Sequence, residues 1–552
     1  MGPSILFVNL PPRPIEDLDA AIRNKDLLVS VEHEITMPLG IMYLSSYVKK
    51  NNNVGDVRLL DYVIELKNIH SYNDIDEFIE KPVLNAAGFT PDIISISLIF
   101  STSYHFFQKF IRKARELWPS SYIIVGGTHA TSSYQLLLKD TSINAVIRGE
   151  GELPLSDLVG KFPDHNSRNI QGLITIDDLD QMTENGIAEF ITDLDLIPFP
   201  DRGLVDMESY VNARGSRWEV GNAAAARMAV LVTTRGCPYR CTFCSSHTVH
   251  GRRLRRRSIG NVIAEITELH DKYGVTLFIP WDDMFTAGKK RTLDLLSQIR
   301  SLDIPDLQIQ FQNGLSINSL DEDIVDSLVL TGMPMTALAI ESGSEFTQKY
   351  LIKKHCNLEK ARKIVAYMKS RNVFVRCLYI LGFPRETKEL MQETISYARS
   401  VQADWSVFSI ASPLLGSEMY NQFVGMGVIE DTPSTWGRST YSERTFDMPE
   451  ISAQELNDLA YRANLECNFL FNPNFLKGDY DRALKLYTDI TFKFPFHVVA
   501  WYCILRCYKK MGQTREAAEI EAKLRALTLH NSVGKEMFLK YKDLMPEINF
   551  TT

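Results

Sequence analysis

Three cysteines crowd into eight residues of a 552-residue chain, in the run Cys237-Pro-Tyr-Arg-Cys241-Thr-Phe-Cys244. Thiolates at C-x3-C-x2-C spacing can hold three corners of one cubane iron–sulfur cluster and leave its fourth iron without a protein ligand. An iron left open in this way suits Lewis-acid or inner-sphere chemistry. The same thiolates together with His247 make a Cys3His set, a common closed structural zinc site. The other five cysteines are scattered. Eight cysteines in a chain this long do not make a disulfide framework, so the cluster of three points to a metal.

The elements around the triad bear on that choice. It follows the apolar run Met228–Thr233, the first of six strand-like runs; the others are Thr276–Pro280, Gln308–Gln312, Ala337–Ile340, Val373–Ile380 and Ser406–Ile410. The segments between them are long enough for helices. Six unbroken β/α units predict a central partial (β/α)6 TIM-like barrel over 226–430, with its site at the carboxyl ends of the strands. The triad sits at such an end, which favours a catalytic cluster over a zinc staple.

Upstream, short apolar runs alternate with helical patterns: Ile5–Asn9, a helix from about Pro38 to Lys50, Val57–Leu60, Ile93–Ser97, a helix near Tyr104–Leu117, Tyr122–Val125 and Ala145–Ile147. Near-continuous apolar strands suit a parallel sheet covered on both faces. They predict an α/β, doubly wound Rossmann or flavodoxin-like domain over 1–155. Ligands of such sheets bind beyond the strands' carboxyl ends, where Asn9–Pro12, Ser97–Ser103 and Gly126-Gly127 should converge. Residues 156–225, punctuated by Pro198, Pro200, Asp201 and Gly203 and closing on the uninformative Ala223–Ala226, read as a connector with one hairpin. Over 431–552 no β pattern remains. There Gly478-Asp-Tyr-Asp-Arg-Ala483 recurs in form as Gly512-Gln-Thr-Arg-Glu-Ala517, an offset of 34 residues. That is the tetratricopeptide period, and it predicts a C-terminal α-helical, TPR-like cap on the barrel.

Composition narrows the classes of partner. The chain is 45% hydrophobic and 23% charged, as soluble globular proteins are, and its net charge of −8 argues against nucleic acid. The one dense basic run, Arg252-Arg253-Leu254-Arg255-Arg256-Arg257, reads as a solvated face at least as readily as an anion or partner site. Its start carries no basic leader or cleavage site, and no long apolar span follows, so the expectation is a cytoplasmic protein without membrane contact.

The segment 225–430 resembles the radical S-adenosylmethionine (SAM) superfamily, and the likeness extends beyond the triad and the aromatic Phe243 before its third cysteine. Pro280-Trp-Asp-Asp-Met-Phe285 resembles the acidic motif that engages the SAM amino group in cobalamin-dependent members. Ile340-Glu-Ser-Gly-Ser344 resembles the motif that contacts SAM through ribose or methionine, and Tyr379-Ile-Leu-Gly-Phe-Pro-Arg-Glu-Thr387 the glycine turn beside adenine. Ser412-Pro-Leu-Leu-Gly-Ser417 is similar to the turn after the sixth strand. The resemblance implies a 4Fe-4S cluster on Cys237, Cys241 and Cys244, and SAM contacts from Asp282, Asp283, Glu341, Ser342 and Gly382. Singly, the acids read as helix caps and the glycines as turns.

Pro91-Asp-Ile-Ile-Ser-Ile-Ser97, Ile124-Val-Gly-Gly-Thr-His-Ala130, Val146-Ile-Arg-Gly-Glu-Gly-Glu152 and Met37-Pro-Leu-Gly-Ile-Met-Tyr-Leu44 resemble the cobalamin-binding domain of many radical SAM enzymes. The implied cofactor contacts are Ser97, Ser101 and Thr102 to the nucleotide tail and a close backbone approach at Gly126 and Gly127. The alternative is a flavodoxin-like docking domain without cofactor. The Asp-x-His-x-x-Gly axial-ligand signature is missing from Asn9-Leu-Pro-Pro-Arg-Pro14, and His33, an unconventional candidate ligand, reads as a surface residue.

The resemblance thus implies cleavage of SAM to a 5′-deoxyadenosyl radical and methylation of an unactivated carbon through methylcobalamin. The substrate would be a small molecule or peptide, and the electron donor external, such as a flavodoxin or ferredoxin. Radical cyclisation or rearrangement with the same cofactors is the alternative within the family. A zinc-stapled scaffold with a protein-binding helical tail is the alternative of another class.

Overall fold

The computed structural model describes residues 2–24, 35–164, 170–180, 186–213, 226–436 and 440–548; His33 and Ala223–Ala225 lie outside the described residues. The chain divides into two compact units. The first comprises Met1–Met335, Ile352–Lys354 and Ser412–Thr440, and the second Thr336–Leu351, His355–Ala411 and Tyr441–Thr552.

The first unit opens with β1 (Ile5–Asn9), α1 (Leu39–Asn51), β2 (Val57–Asp61), β3 (Ile93–Ser97) and α2 (Tyr104–Leu117). It continues with β4 (Tyr122–Gly126), α3 (Thr128–Leu137), β5 (Ala145–Ile147), α4 (Glu152–Lys161) and β6 (Leu173–Ile174). The strands form one sheet in the order β2-β1-β3-β4-β5-β6, parallel from β2 to β5. Isoleucine-rich strands buried on both faces need helices on both sides, and helix α2 shows how these are supplied. Its Phe106, Phe107, Phe110, Ile111 and Ala114 form one buried stripe. The strand order reverses at β1 and β3, so the loops after them part and leave a crevice at their carboxyl ends.

The hairpin expected within 156–225 is not formed among the described residues. Leu173–Ile174 instead pairs antiparallel with β5, Ile147 opposite Leu173, covering an edge that would otherwise expose unpaired backbone.

The same unit then carries β7 (Met228–Leu231), the short antiparallel pair β8 (Thr234–Arg235) and β9 (Arg255–Arg256), and α5 (Ile259–Tyr273). Next come β10 (Leu277–Pro280), α6 (Lys289–Arg300), β11 (Gln308–Ile309) and β12 (Phe311–Leu315). Strands β7, β10 and β11 are parallel neighbours. The expected single run Gln308–Gln312 breaks at the buried Gln310, whose N–H donates to the Phe278 carbonyl at 3.1 Å.

The second unit takes up β13 (Met335–Glu341) from its second residue, then α7 (Leu358–Ser370), β14 (Phe374–Leu381), α8 (Lys388–Val401) and β15 (Trp405–Ile410). Strands β14 and β15 pair in parallel from Arg376–Trp405 to Leu381–Ile410. The tail follows as α9 (Ala453–Leu465), α10 (Tyr480–Lys493), α11 (Val498–Met511), α12 (Thr514–His530) and α13 (Ser532–Lys540). Helices α10 and α12 begin 34 residues apart, keeping the offset of the sequence repeat. Asn468 seats the tail on β15 by accepting from the Ser406 N–H and donating to its carbonyl, both at 2.7 Å. No helix among the described residues is long and apolar enough to cross a membrane.

Candidate active site

The cysteines lie on the loop closed by β8 and β9. Gly236, at φ +86°, makes the closure possible: a Cβ there would meet the Arg253 carbonyl at 2.4 Å. Across the loop the Cys237 N–H donates to the Gly251 carbonyl at 3.4 Å. Its middle is pinned at the buried Thr242, whose N–H reaches the Ile352 carbonyl at 3.1 Å and whose carbonyl accepts from Met419 N–H at 2.8 Å. The backbone is thereby tied down on both sides while all three cysteines stay half-buried; the other five are buried.

Among the described residues, no group of three or more His, Cys, Asp or Glu side chains is gathered closely enough to hold a single metal ion. A Cys3His zinc site would need its ligands converging to about 2.0–2.3 Å from one point. A cubane asks less convergence, because each thiolate takes a different iron. Burial raises the Cys237 thiol pKa, and the neighbouring Asp283 and Cys244 add to it. A cationic iron site is the partner that reverses this preference and stabilises the thiolates.

The two aspartates after β10 part company. Asp282 is buried and accepts from the Thr233 N–H at 2.6 Å, the Thr234 hydroxyl at 3.0 Å and the Thr233 hydroxyl. Burial raises its pKa, and these donors pull it back. Both oxygens are thus occupied in bracing the turn that leads to Cys237. Asp283 accepts from the Ser246 hydroxyl at 2.6 Å and lines a cavity of about 320 Å³.

That cavity lies at the crevice where β1 and β3 diverge. Asn9, Leu10 and Pro12 reach it after β1, and Ser97, Ile99, Phe100 and Ser103 after β3. Met37 to Ile41 and Tyr43 line it at the start of α1, while Thr234, Arg235, His250, Trp281 and Asp283 come from the cluster side. Ile99 and Phe100 are 45% and 50% exposed beside it, apolar surface that a flat macrocycle would cover. Cobalamin is larger than this volume and would extend through the open side. The residues present fit that group on these grounds.

Of the expected tail contacts, Ser97 lines the cavity. Ser101 is 2.9 Å from His129 Nδ1, and Thr102 donates to the Pro12 carbonyl at 3.1 Å, so each holds neighbouring protein groups. The close approach expected at Gly127 is made to protein. At φ +106°, its Cβ would stand 2.7 Å from the Leu98 carbonyl oxygen, so the backbone just past β3 requires glycine there. Gly126 makes no such demand, since its Cβ would meet only Ile147 at 3.8 Å; its carbonyl accepts from Leu98 N–H at 2.8 Å.

In the second unit, Glu341 ends β13 buried and at φ +70°. A non-glycine residue held in the left-handed region at a strand's carboxyl end is the kind of strain that gathers at ligand sites. Ser342 is buried beside it, its hydroxyl 2.9 Å from that of Thr394 and accepting from Ser344 N–H at 3.1 Å. Gly343 admits no side chain, for a Cβ would lie 2.3 Å from that of Tyr397. Gly382 turns at φ +83° and gives its N–H to Glu386 at 2.7 Å; Phe383 N–H adds a second bond at 3.1 Å.

Ser103 falls in the loop Ser97–Ser103 expected at the ligand site, whereas sequence reading missed Arg235, His250 and Trp281 as cavity residues. The signal available was position: Arg235 and His250 flank the triad, and Trp281 precedes the acidic pair.

Comparison with known proteins agrees with this geometry. The B12 binding domain family matches residues 25–159 and the Radical SAM superfamily residues 231–398. Cytidylyl-2-hydroxyethylphosphonate methyltransferase of Streptomyces wedmorensis is 28% identical over 78% of this chain and 86% of its own length. Among solved structures, the radical SAM methyltransferase TsrM of Kitasatospora setae, with cobalamin and a [4Fe-4S] cluster bound, superposes with a TM-score of 0.55 at 17% identity over 78% of each chain. The cobalamin-dependent radical enzyme OxsB, with aqua-cobalamin and SAM bound, gives a TM-score of 0.62 at 15% identity over 99% of this chain and 75% of its own. These two likenesses concern the fold. With a sheet and a cysteine loop meeting at one cavity, and a family match on each, the chain combines a B12 binding domain with a Radical SAM domain.

Proposed function

We propose that the protein is a cobalamin-dependent radical SAM methyltransferase acting on an unactivated carbon of a small molecule or peptide. The observation that carries this reading is the shared cavity: the strand ends of the B12-binding sheet and the flank of the cluster loop line the same space. When bound, the cluster and SAM would supply a 5′-deoxyadenosyl radical, and cobalamin the methyl group.

The chain's own residues prepare that chemistry. Cys237, Cys241 and Cys244 would hold the cluster, with Asp282 bracing the turn before them. Asp283 and Glu341 would take the ammonium or ribose hydroxyls of SAM in charge-assisted hydrogen bonds, which are the stronger kind. Ser342 and Gly382 shape the backbone under that ligand. Ser97 would meet the cobalamin, and Ser101, Thr102, Gly126 and Gly127 keep the loops in place beneath it. Orientation is the main requirement, since small misplacements of reacting groups cost large factors in rate. The electron would come from an external donor such as a flavodoxin or ferredoxin.

The test is incubation of the reconstituted protein with SAM bearing a trideuterated methyl group and candidate extracts. A product heavier by one trideuterated methyl is expected. Formation of 5′-deoxyadenosine with a product lacking the label would instead identify cyclisation or rearrangement. Zinc at one equivalent, with no iron uptake, would overturn both.

A further inference from the structure

Two arginines flanking the cysteines reach out of the cluster loop to carboxylates beyond β5. Arg255, buried, places Nη1 and Nη2 at 2.8 and 2.6 Å from the two oxygens of Glu150. Arg235, directly before Gly236 and Cys237, lies 2.8 Å from Glu152 and 3.4 Å from Glu150. His250 Nδ1 is 2.7 Å from the same Glu150 oxygen. Glu150 lies in the turn after β5, shaped by Gly149 at φ +82°, and Glu152 opens α4 directly after it. Burial by itself would raise the Glu150 carboxyl, yet His250, Arg255 and Arg235 outweigh it and hold it below the usual carboxylate range.

A buried charge cluster of this kind is a poor source of net stability, because desolvation offsets most of the attraction. What it supplies is geometry: a bidentate guanidinium–carboxylate pair admits one angle and one register. Apolar packing would join the same surfaces while permitting slip. Both arginines sit on the pair β8–β9 that closes the cluster loop, and both carboxylates follow the carboxyl end of β5, in the same sheet as β1 and β3, whose loops line the cavity.

We propose that Glu150 is a positioning residue: bound by Arg235, Arg255 and His250, it sets the separation between the iron–sulfur cluster and the cobalamin. The proposal rests on the reading that both cofactors bind this chain.

The test uses full-length protein carrying both cofactors, with iron and cobalamin assayed first. Pulsed electron paramagnetic resonance then measures the distance between the reduced cluster and cob(II)alamin. Wild type should give one narrow distance. Glu150→Gln keeps the shape and removes the charge; it should shift or broaden that distance and raise the 5′-deoxyadenosine made per methyl transferred several-fold. Arg255→Lys, which keeps the charge and loses the bidentate fork, should fall between. Unchanged distance and unchanged coupling in Glu150→Gln would overturn the proposal, however far the melting temperature falls. Should that variant fail to fold, the same unchanged result in Arg255→Lys would overturn it. Wild-type protein that takes up neither cofactor would defeat the proposed function itself, a failure visible before any variant is made.

Discussion

The cluster loop and the C-terminal helices are held in place by different chemistry. Around the loop the buried contacts are polar: Asp282 with Thr233 and Thr234, Glu150 with Arg235 and Arg255, and Glu265 with Arg202 and Arg257. In the tail carbon predominates, with Phe475, Tyr487, Val498, Cys503, Leu524 and Phe538 packed in one core. Apolar burial contributes about 25 cal/mol per Å² without prescribing direction, whereas a buried ion pair prescribes direction at small net gain. The tail therefore serves stability, and the loop is built for placement. Substitutions in the two regions should fail in different ways.

The largest effect is expected at the loop. Cys241→Ala should abolish the cluster and with it all 5′-deoxyadenosine formation, read as iron content and product assay; retention of about four iron per chain would remove Cys241 from the ligand set. In the tail, Tyr487→Ala should cost about 3–5 kcal/mol in stability, since the ring is fully buried and its hydroxyl donates to the Phe469 carbonyl at 2.8 Å. Iron content per folded chain should stay unchanged. A Tyr487→Ala protein that melts normally but loses iron would invert the contrast.

A third prediction concerns Glu386, which burial pushes up to about 7 against the hydrogen bonds from Phe383 and Gly382. The folded state thus holds this proton more tightly than the unfolded chain, whose carboxyl titrates near 4.5. Its stabilising contribution is complete below 4.5 and is lost as pH rises through about 7. Up to about 3 kcal/mol is at stake over that window. Glu386→Gln should flatten the fall in melting temperature between pH 5 and about 7.5 relative to wild type; parallel curves would show that Glu386 does not titrate there.

The smallest expected change is at Glu341. Glu341→Gln should leave the cluster spectrum intact and weaken SAM binding by about tenfold to a hundredfold, the worth of one charge-assisted hydrogen bond. Unchanged SAM affinity, measured beside cluster content and melting temperature, would assign the strained backbone at 341 to the fold alone.

What the sequence determined by itself was whatever rests on short spacing. The triad is legible because its three cysteines fall within eight residues, a spacing that can be read without the fold. Ile93–Ser97 and Tyr104–Leu117 are legible to the residue because apolar periodicity reports local burial. Only the tertiary structure decided which polar groups meet. Asp282 braces Thr233 from 49 residues away and Glu150 meets Arg255 across 105, separations that leave no local pattern. The requirement for glycine at 127 likewise comes from the Leu98 carbonyl, and the placing of Leu173–Ile174 from an open edge on β5. A side chain's type announces that it needs a partner; the partner's identity is settled when the chain closes around it.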